Sequence, residues 1–495
     1  MKIEFLKNKK RGSLLVQVLV YGSIGVLMVG SLIAWGTTNY KFTNQAVVRE
    51  KALQIAEAGI DYYRWHLAHN KTDFQDGTGG PGPYVHDFTD RTGQVIGRYI
   101  LTITPPGLGS TQVTISSTGE VLGYPNLTRT IEVRMVLQSF AKYSFLSNNA
   151  VMRFGQGTET YGPVHANKGI RFDGLAHNLV TSALSSYDDP DHDDFGTDRH
   201  EFGVHTHISP PPPENNLVES FRPNEASPSS VAVRNDVFLA GREFPVPVVD
   251  FNSLLSVLNN IKTAASEDGY YFSPSGAYGY NIVLKTNDTF DLYKVNSLMA
   301  TPRYNCRKPN SDNQSGWGTW SIGVQTLIAN YPFPENGLIF TEDNLWVEGV
   351  IDGARLTIAA ARFPENSSNY ANITFNRDIR YTNYDGSDVI GLIAQGNINA
   401  GMDSNNILQV DAALVAKNGR AGRYYYGDDC YPYHIRSTLN LFGTVITNER
   451  YGFAYTNGSG YQTRNIYYDG NLIYGPPPYF PLVSENYEIV YWREK

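Results

Sequence analysis

Cysteine is nearly absent, with 2 residues in 495. That excludes a disulfide-built scaffold and a Cys-ligated zinc module, and leaves Cys306 and Cys430 either as one pair or as isolated thiols. Charge is sparse too: only 18% of residues are Asp, Glu, Lys or Arg, which argues against a coiled coil or a charge-driven disordered chain. The 40 basic residues are outnumbered by 48 acidic ones, so the net charge of −8 gives the body no nucleic-acid footprint. No Gly-x-Ser-x-Gly elbow, phosphate-binding loop or His-Glu-x-x-His helix occurs. What is plentiful is Gly (46), Pro (26), Tyr (34) and Phe (23), the composition of a turn-rich, aromatic-rich β protein. Apolar residues make up 41% of the chain, enough for a sizeable core, and the length suits about three ordinary domains.

The start of the chain is a different material. Lys2, Lys7, Lys9, Lys10 and Arg11 stand against the single acid Glu4. No charged residue then occurs from Gly12 to Tyr40. The apolar run Leu14–Trp35 would span about 33 Å as a helix, enough to cross a bilayer. Its basic flank predicts a cytoplasmic N-terminus and an extracytoplasmic remainder. A cleaved secretory signal has a shorter apolar region with a small-x-small site behind it, which is missing here. A plain signal anchor accounts for the run and its flank, but not for the Gly that closes the basic stretch or for the helix pattern beyond.

The string Lys9-Lys10-Arg11-Gly12-Ser13-Leu14-Leu15-Val16-Gln17 resembles the class III leader of type IV pilins and pseudopilins. The resemblance implies a cut between Gly12 and Ser13 by a prepilin peptidase, methylation of the new amine, and packing of the freed apolar helix into a filament. Two positions depart from that family. Ser13 replaces the usual Phe or Met, and Gln17 replaces a Glu that pairs with the terminal amine of a neighbouring subunit. Gln can hydrogen-bond but cannot neutralise a charge, so Gln17 is a filament-contact candidate that fits a minor or tip subunit. Ala56-Glu57-Ala58-Gly59 resembles the PilX-type minor-pilin N-terminal region.

Past the apolar run, Val48, Ala52, Ile55, Ala56, Gly59, Ile60, Tyr63 and Leu67 recur at helical spacing. Thr43 or Asn44 offers a cap for a separate start. Gly22, Gly25, Gly30 and Gly36 predict either a broken rod or close helix packing in the membrane. Asp76–Pro83 ends the helix in a turn-rich linker. Residues 94–138 alternate with period two, as in Gly97–Thr104, Gln112–Ser116 and Thr128–Val136, and predict an antiparallel meander covering the helix.

From about Lys142 short strands recur between Asn, Gly and Asp corners: Gly337–Thr341, Asn344–Gly349, Arg355–Ala360, Asn372–Phe375, Val389–Ala394, Ile407–Ala416 and Thr438–Ile446. Without intervening helices, these predict a right-handed parallel β-helix, whose coils must stack to bury a core. An antiparallel β-sandwich is the alternative. The fold class is therefore α+β and mainly β. The expected boundaries are leader 1–12, transmembrane helix 13–36, amphipathic extension 37–75, sheet 84–140, ectodomain 142–483 with an insertion at 184–330, and tail 484–495. The insertion carries the Pro run Ser209–Glu214 and a helix capped by Asp250, with Leu254, Leu255, Leu258, Ile261 and Ala265 on its apolar face and Gly269 at its end. Tyr474–Leu482 is expected to fold over the last coil as a cap.

The densest chemistry is the stretch Asp188–His207, with Asp188, Asp189, Asp191, Asp193, Asp194, Asp198 and Glu201 beside His192, His200, His205 and His207. Its carboxylate density suits Ca²⁺, while His205 and His207, alternating on one strand face, suit a transition metal. Asp191, Asp193, His205 and His207 are the metal candidates. The plain reading is a solvated acidic loop. Asp352, Arg355, Asp378, Arg380, Asp385 and Asp388 are the residues a β-helix polysaccharide lyase or hydrolase would use, but they form no recognisable spacing. Tyr424, Tyr425, Tyr426, Tyr431, Tyr433, Tyr451 and Tyr455 fit sugar or partner stacking, or a structural ladder.

The sequence thus predicts a non-enzymatic, membrane-inserted pilin-like subunit, with no cofactor unless Ca²⁺. Its expected partners are other pilin subunits, the prepilin peptidase, the membrane, and a surface polysaccharide or protein. A membrane-anchored polysaccharide-active enzyme and a calcium-stabilised adhesin are the alternatives.

Overall fold

The computed structural model describes residues 13–107, 110–189, 201–208, 233–307, 314–455 and 457–495. The expected leader 1–12 with Gly12, the candidates Asp191 and Asp193, and the Pro run at 209–214 lie outside the described residues. One long N-terminal apolar helix is followed by a mainly β body. The chain forms two compact units. The first holds the described residues up to Pro105 with Val113–Met135 and Ile489–Lys495, and the second those of Pro106–Gln112 and Val136–Glu488.

Helix α1 (Ser13–His69) runs unbroken for 57 residues, a rod of about 85 Å. The separate start at Thr43 or Asn44 does not occur: Asn44 donates its side-chain amide to the Tyr124 hydroxyl at 3.1 Å instead of capping. Nor do Gly22, Gly25, Gly30 and Gly36 break the rod. Each costs about 1 kcal/mol against Ala, which a helix with this many good formers tolerates. Hydroxyls in the apolar part turn inward to the backbone, as Ser31 to Leu27 O at 2.7 Å and Thr38 to Ala34 O at 2.8 Å. The helix stops at His69 rather than extending to 75. The Asp73 carboxylate accepts the N–H groups of Gln75 and Gly77, and Asp76 and Gly77 take positive φ of 55° and 69°.

The second half of α1 lies on an antiparallel sheet of β1 (Tyr84–Thr89), β2 (Val95–Thr104), β3 (Val113–Val121) and β4 (Arg129–Ser139). On β3 every second residue, Val113, Ile115, Ser117 and Gly119, is buried. The helix answers with its buried stripe Val48, Ala52, Ile55, Ala56, Ile60, Tyr63 and Leu67. Full burial of each large apolar side chain stabilises by about 1.5–3 kcal/mol. The side chains shrink where the helix comes closest: a β-carbon on Gly59 would stand 2.3 Å from the Ser117 hydroxyl oxygen. The expected C-terminal tail is instead a fifth strand, Leu482–Glu494, beside β4. Lys495 donates its N–H to Thr130 O at 2.9 Å, and Glu132 sits between the cations of Arg493 and Lys495.

In the second unit most strands stack in parallel, with Gly279–Lys285, Thr289–Leu298 and Ile322–Pro332 paired antiparallel. One ladder runs, in spatial order, Tyr270–Phe272, Leu338–Thr341, Arg355–Ala360, Val389–Ala394, Ile407–Ala416, Ile435–Thr447, Phe145–Ser147, Val164–Ala166, Val180–Ser182 and Arg242–Glu243. Registers align one inward column: Ile339, Ile358, Leu392, Leu414, Val445, Phe145, Val164 and Val180, all buried in one core. The neighbouring outward column, Phe340, Ala359, Ile393, Val415, Ile446 and Leu146, is buried in a second cluster under helix α2 (Ser253–Asp268). Both faces being covered, a strand such as Val389–Ala394 reads as an unbroken apolar run rather than an alternation. Corners carry asparagines in sequence of stacking: Asn372 N–H donates to Asn344 Oδ1 at 3.0 Å, Asn397 N–H to Asn372 Oδ1 at 2.7 Å, and Arg420 N–H to Asn397 Oδ1 at 2.9 Å.

Segment 184–330 contributes strands to the stack, while its Thr289–Leu298 pairs antiparallel with Gly279–Lys285 and Ile322–Pro332. Tyr270–Phe272 and Gly279–Lys285 pair in parallel with Leu338–Thr341 and Leu345–Ile351, and Val204–His205 with Ile170–Phe172. Asp250 does not cap α2. Its carboxylate accepts the Asn252 N–H at 2.8 Å, and Asn252 occupies the cap position. Leu254, Leu258, Ile261 and Ala265 are the buried face, Leu255 is half-buried, and the helix ends at Gly269 as expected. The Tyr474–Leu482 segment does not cap the last coil. Arg355 donates to Gly475 O at 2.8 Å and Pro476 O at 2.7 Å, and Phe480 joins the cluster under α2, so the segment lies along the outer face of the ladder.

Candidate functional site

Three places in the structure carry the residues that sequence reasoning singled out. The first is the free half of α1. Leu14, Leu27 and Trp35 are 67%, 69% and 66% exposed, and no residue from Leu14 to Trp35 is buried. Gln17 lies in this exposed stretch. Around Gly22, Gly25, Gly30 and Gly36 no atom beyond the helix's own adjoining backbone comes within 4 Å of where a β-carbon would stand. The helix is long and apolar enough to cross a membrane.

The second place is where the chain on either side of 190–200 meets. Ser186–Tyr187 pairs antiparallel with Glu201–Phe202. This brings Asp189 to the strand Val204–His205, and Asp189 N–H donates to Glu201 Oε2 at 2.9 Å. The Nε2 atoms of His205 and His207 are 3.2 Å apart, and Asp189 Oδ2 lies 3.4 Å from the first and 3.7 Å from the second. Asp189 and His205 are fully buried and the His207 side chain is 20% exposed. Each arm is held from behind. Arg153 donates to Asp189 Oδ1 at 2.6 Å, the Tyr187 hydroxyl is 3.1 Å from His205 Nδ1, and Asp173 Oδ1 accepts the His207 N–H at 2.7 Å. Burial, with Asp189 and Glu201 adding to it, pushes the Tyr187 phenol far above its ordinary range, so it stays a neutral partner. Of the metal candidates, His205 and His207 are brought together. The donors that converge are two imidazoles and one carboxylate, rather than the all-oxygen set Ca²⁺ takes. Sequence reasoning did not choose Asp189, since nothing local separates it from the other carboxylates of its stretch.

The third place is a groove of about 730 Å³ lined by Arg153, Glu159, Tyr161, Arg450, Tyr451, Tyr455, Arg464 and Tyr467. Its mix of guanidinium and phenol groups suits a polar partner. Of the expected tyrosines, Tyr451 and Tyr455 lie in it. Tyr424 and Tyr426 are instead buried with Cys306, Cys430 and Met402. Cys306 and Cys430 form a disulfide with Cα atoms 4.7 Å apart. Arg423 is the unexpected residue here. Fully buried, with its guanidinium pushed down to about 10 by desolvation, it donates to Ser404 Oγ at 2.8 Å, Met402 O at 2.9 Å and Tyr433 O at 2.6 Å.

Five of the six residues a polysaccharide-active enzyme would use hydrogen-bond to backbone or to neighbouring side chains. Asp388 accepts the N–H groups of Ala354, Thr382 and Asn383. Asp378 accepts from Asn405 and the Gln409 N–H, and Asp385 from Ser387, whose hydroxyl holds that carboxyl below its usual range. Asp352 accepts from Asn383, and Arg355 holds the Gly475–Pro476 carbonyls. Arg380 is exposed.

No protein-family model matches the chain, and no curated protein matches it. Among solved structures, the competence-associated pilin ComZ from Thermus thermophilus aligns over 90% of this chain and 97% of its own, at 14% identity and a TM-score of 0.29. At that score the alignment does not establish a common fold.

Proposed function

We propose that the chain is a pilin-like subunit, anchored in the membrane by the free half of α1 and joined through that half to other subunits of a type IV filament or its assembly system. One observation carries the reading. A single helix is unburied and apolar at its start and, without a break, amphipathic and packed on an antiparallel sheet at its end. A plain anchor needs no such continuity. The unpartnered apolar stretch is stable only against lipid or copies of itself. The N-terminus then faces the cytoplasm and the β body lies outside, where a disulfide between Cys306 and Cys430 is chemically at home. Cleavage after Gly12 by the peptidase gives Ser13 as the mature terminus. Gln17, unable to neutralise a terminal amine, fits a minor or tip position.

The displayed body is read as a right-handed parallel β-helix. Its support is the parallel register carried from Tyr270–Phe272 to Arg242–Glu243, where a sandwich is built from antiparallel pairs. Its role is structural or adhesive and not enzymatic, and the groove around Tyr451 and Arg464 is the place for a surface polysaccharide or protein partner. The test is mass spectrometry of the N-terminus of the protein from its host, with a search for it in sheared surface filaments. A chain beginning at methylated Ser13 and co-purifying with filaments supports the proposal. An uncut chain absent from filaments overturns it.

A further inference from the structure

We propose that Asp189, His205 and His207 form a binding site for a divalent transition metal, with Zn²⁺ as the ion of best fit. The three donor atoms stand 3.2, 3.4 and 3.7 Å from one another. A tetrahedral zinc with bonds of about 2.0–2.1 Å sets its ligands about 3.3–3.4 Å apart. The circle through the three atoms has a radius of about 2.0 Å, so an ion with bonds of about 2.1 Å would stand about 0.7 Å off their plane. They make one face of the tetrahedron.

Asp189 Oδ2 faces both rings, 3.4 Å from one Nε2 and 3.7 Å from the other, so the carboxylate is shared between the two imidazoles. An ion between them would take all three atoms as ligands. Two nitrogens with one oxygen select a borderline transition metal over Ca²⁺ or Mg²⁺.

The surroundings orient the donors. Arg153 donates to Asp189 Oδ1, and Oδ2 faces the imidazoles. Tyr187, beside His205 Nδ1, accepts that N–H when Nε2 binds metal, which fixes the tautomer. Asp173 holds the His207 backbone and is itself held by Arg171 at 2.7 Å. Glu201 adds a buried negative charge one hydrogen bond away from the Asp189 backbone. The site joins Asp189 to the strand that follows Glu201, so the metal acts as a clasp on the β body. This inference stands apart from the filament reading, because none of these residues is in α1.

The test uses the full chain in detergent, carrying no histidine tag, stripped with chelator and titrated with Zn²⁺ and with Co²⁺. Binding of one equivalent, with visible Co²⁺ absorption of a tetrahedral N/O site and a raised melting temperature, is expected. His207→Ala, at the one ligand that is not fully buried, keeps the fold by circular dichroism and loses at least about tenfold in Zn²⁺ affinity, as does Asp189→Asn. Tyr187→Phe weakens binding by about 10- to 100-fold without removing a ligand. His177→Ala, at a histidine paired with Glu159 elsewhere, changes nothing. Failure of the folded wild type to take up one equivalent of Zn²⁺, uptake unaffected by His207→Ala, or binding of Ca²⁺ in preference to Zn²⁺ would each overturn the proposal.

Discussion

Phe145 pairs in parallel register with Val445, 300 residues further along the chain, and on its other side with Val164. The first strand of the stack is therefore laid in its middle. From Phe145–Ser147 the chain climbs through Val164–Ala166 and Val180–Ser182 to Arg242–Glu243. It reaches the far end at Tyr270–Phe272 and builds back until Ile435–Thr447 meets the strand it started from. Phe145 is the inward residue at this seam, in edge-on contact with Phe154. Phe145→Ala should cost about 3–5 kcal/mol in urea unfolding. Hydrogen exchange should show Val164–Ala166 and Ile435–Thr447 losing protection together, while Leu345–Ile351 keeps it. Unchanged exchange at Val164–Ala166 would dispose of the seam as a cooperative joint.

A second prediction concerns the first unit. A β-carbon on Gly119 would stand 1.9 Å from Ala52 O and 2.6 Å from Ala56 N, so sheet and helix backbones touch there. Gly119→Ala forces them apart and should destabilise the unit by about 1–3 kcal/mol. Protease nicking of α1 between Val48 and His69 is the readout. Gly36→Ala, with nothing beyond the helix's own adjoining backbone within 4 Å of its new methyl, should leave nicking unchanged. Equal behaviour of the two variants would refute the close approach.

The disulfide gives a third. It closes 124 residues between two short helical turns, Tyr304–Arg307 and Asp428–Cys430. Cross-linking a loop of that length stabilises by about 2–5 kcal/mol, chiefly through the unfolded chain. The Cys306→Ala, Cys430→Ala double variant should melt at a lower temperature than the wild type and be insensitive to reductant. A wild type whose melting does not change with reductant would count against the bond.

What the sequence made legible was local. Val48 to Leu67 announced a buried helix face because both ends of each contact repeat within a few residues. Val389–Ala394 and its like announced strands because β-branched runs between Asn and Gly corners have few other uses. The order of stacking was not legible. Nothing near Phe145 encodes its neighbour Val445, since a parallel pair leaves no turn to read. Leu482–Glu494 has only one buried residue, Tyr487, and carries Glu485, Glu488, Arg493 and Glu494 as an edge strand does, so its sequence shows no clean alternation. At the metal-type site the His-x-His spacing of His205 and His207 was a visible signal. Asp189 was one carboxylate among seven, and only the pairing of Ser186–Tyr187 with Glu201–Phe202 selects it.

The last prediction is a pH dependence with its source at His165. The ring is buried, with Nδ1 2.8 Å from Thr181 Oγ1 and Nε2 3.1 Å from Asn167 Oδ1. Tyr143 lies beside it at 5.4 Å between ring centres. Desolvation lowers its pKa from 6.5 to about 4; the nearby Lys142 charge lowers it too, and the Asn167 hydrogen bond opposes them. The unfolded chain thus takes up a proton first as pH falls. His165 costs no stability above pH 6.5, and the loss accumulates from there down to about pH 4, reaching about 3 kcal/mol. His165→Gln can keep both hydrogen bonds and does not titrate. Urea midpoints of wild type and variant should run parallel above pH 6.5 and diverge below it, the wild type falling faster toward pH 4.5. Parallel curves throughout that window would mean the ring is charged, or hydrated, in the folded protein.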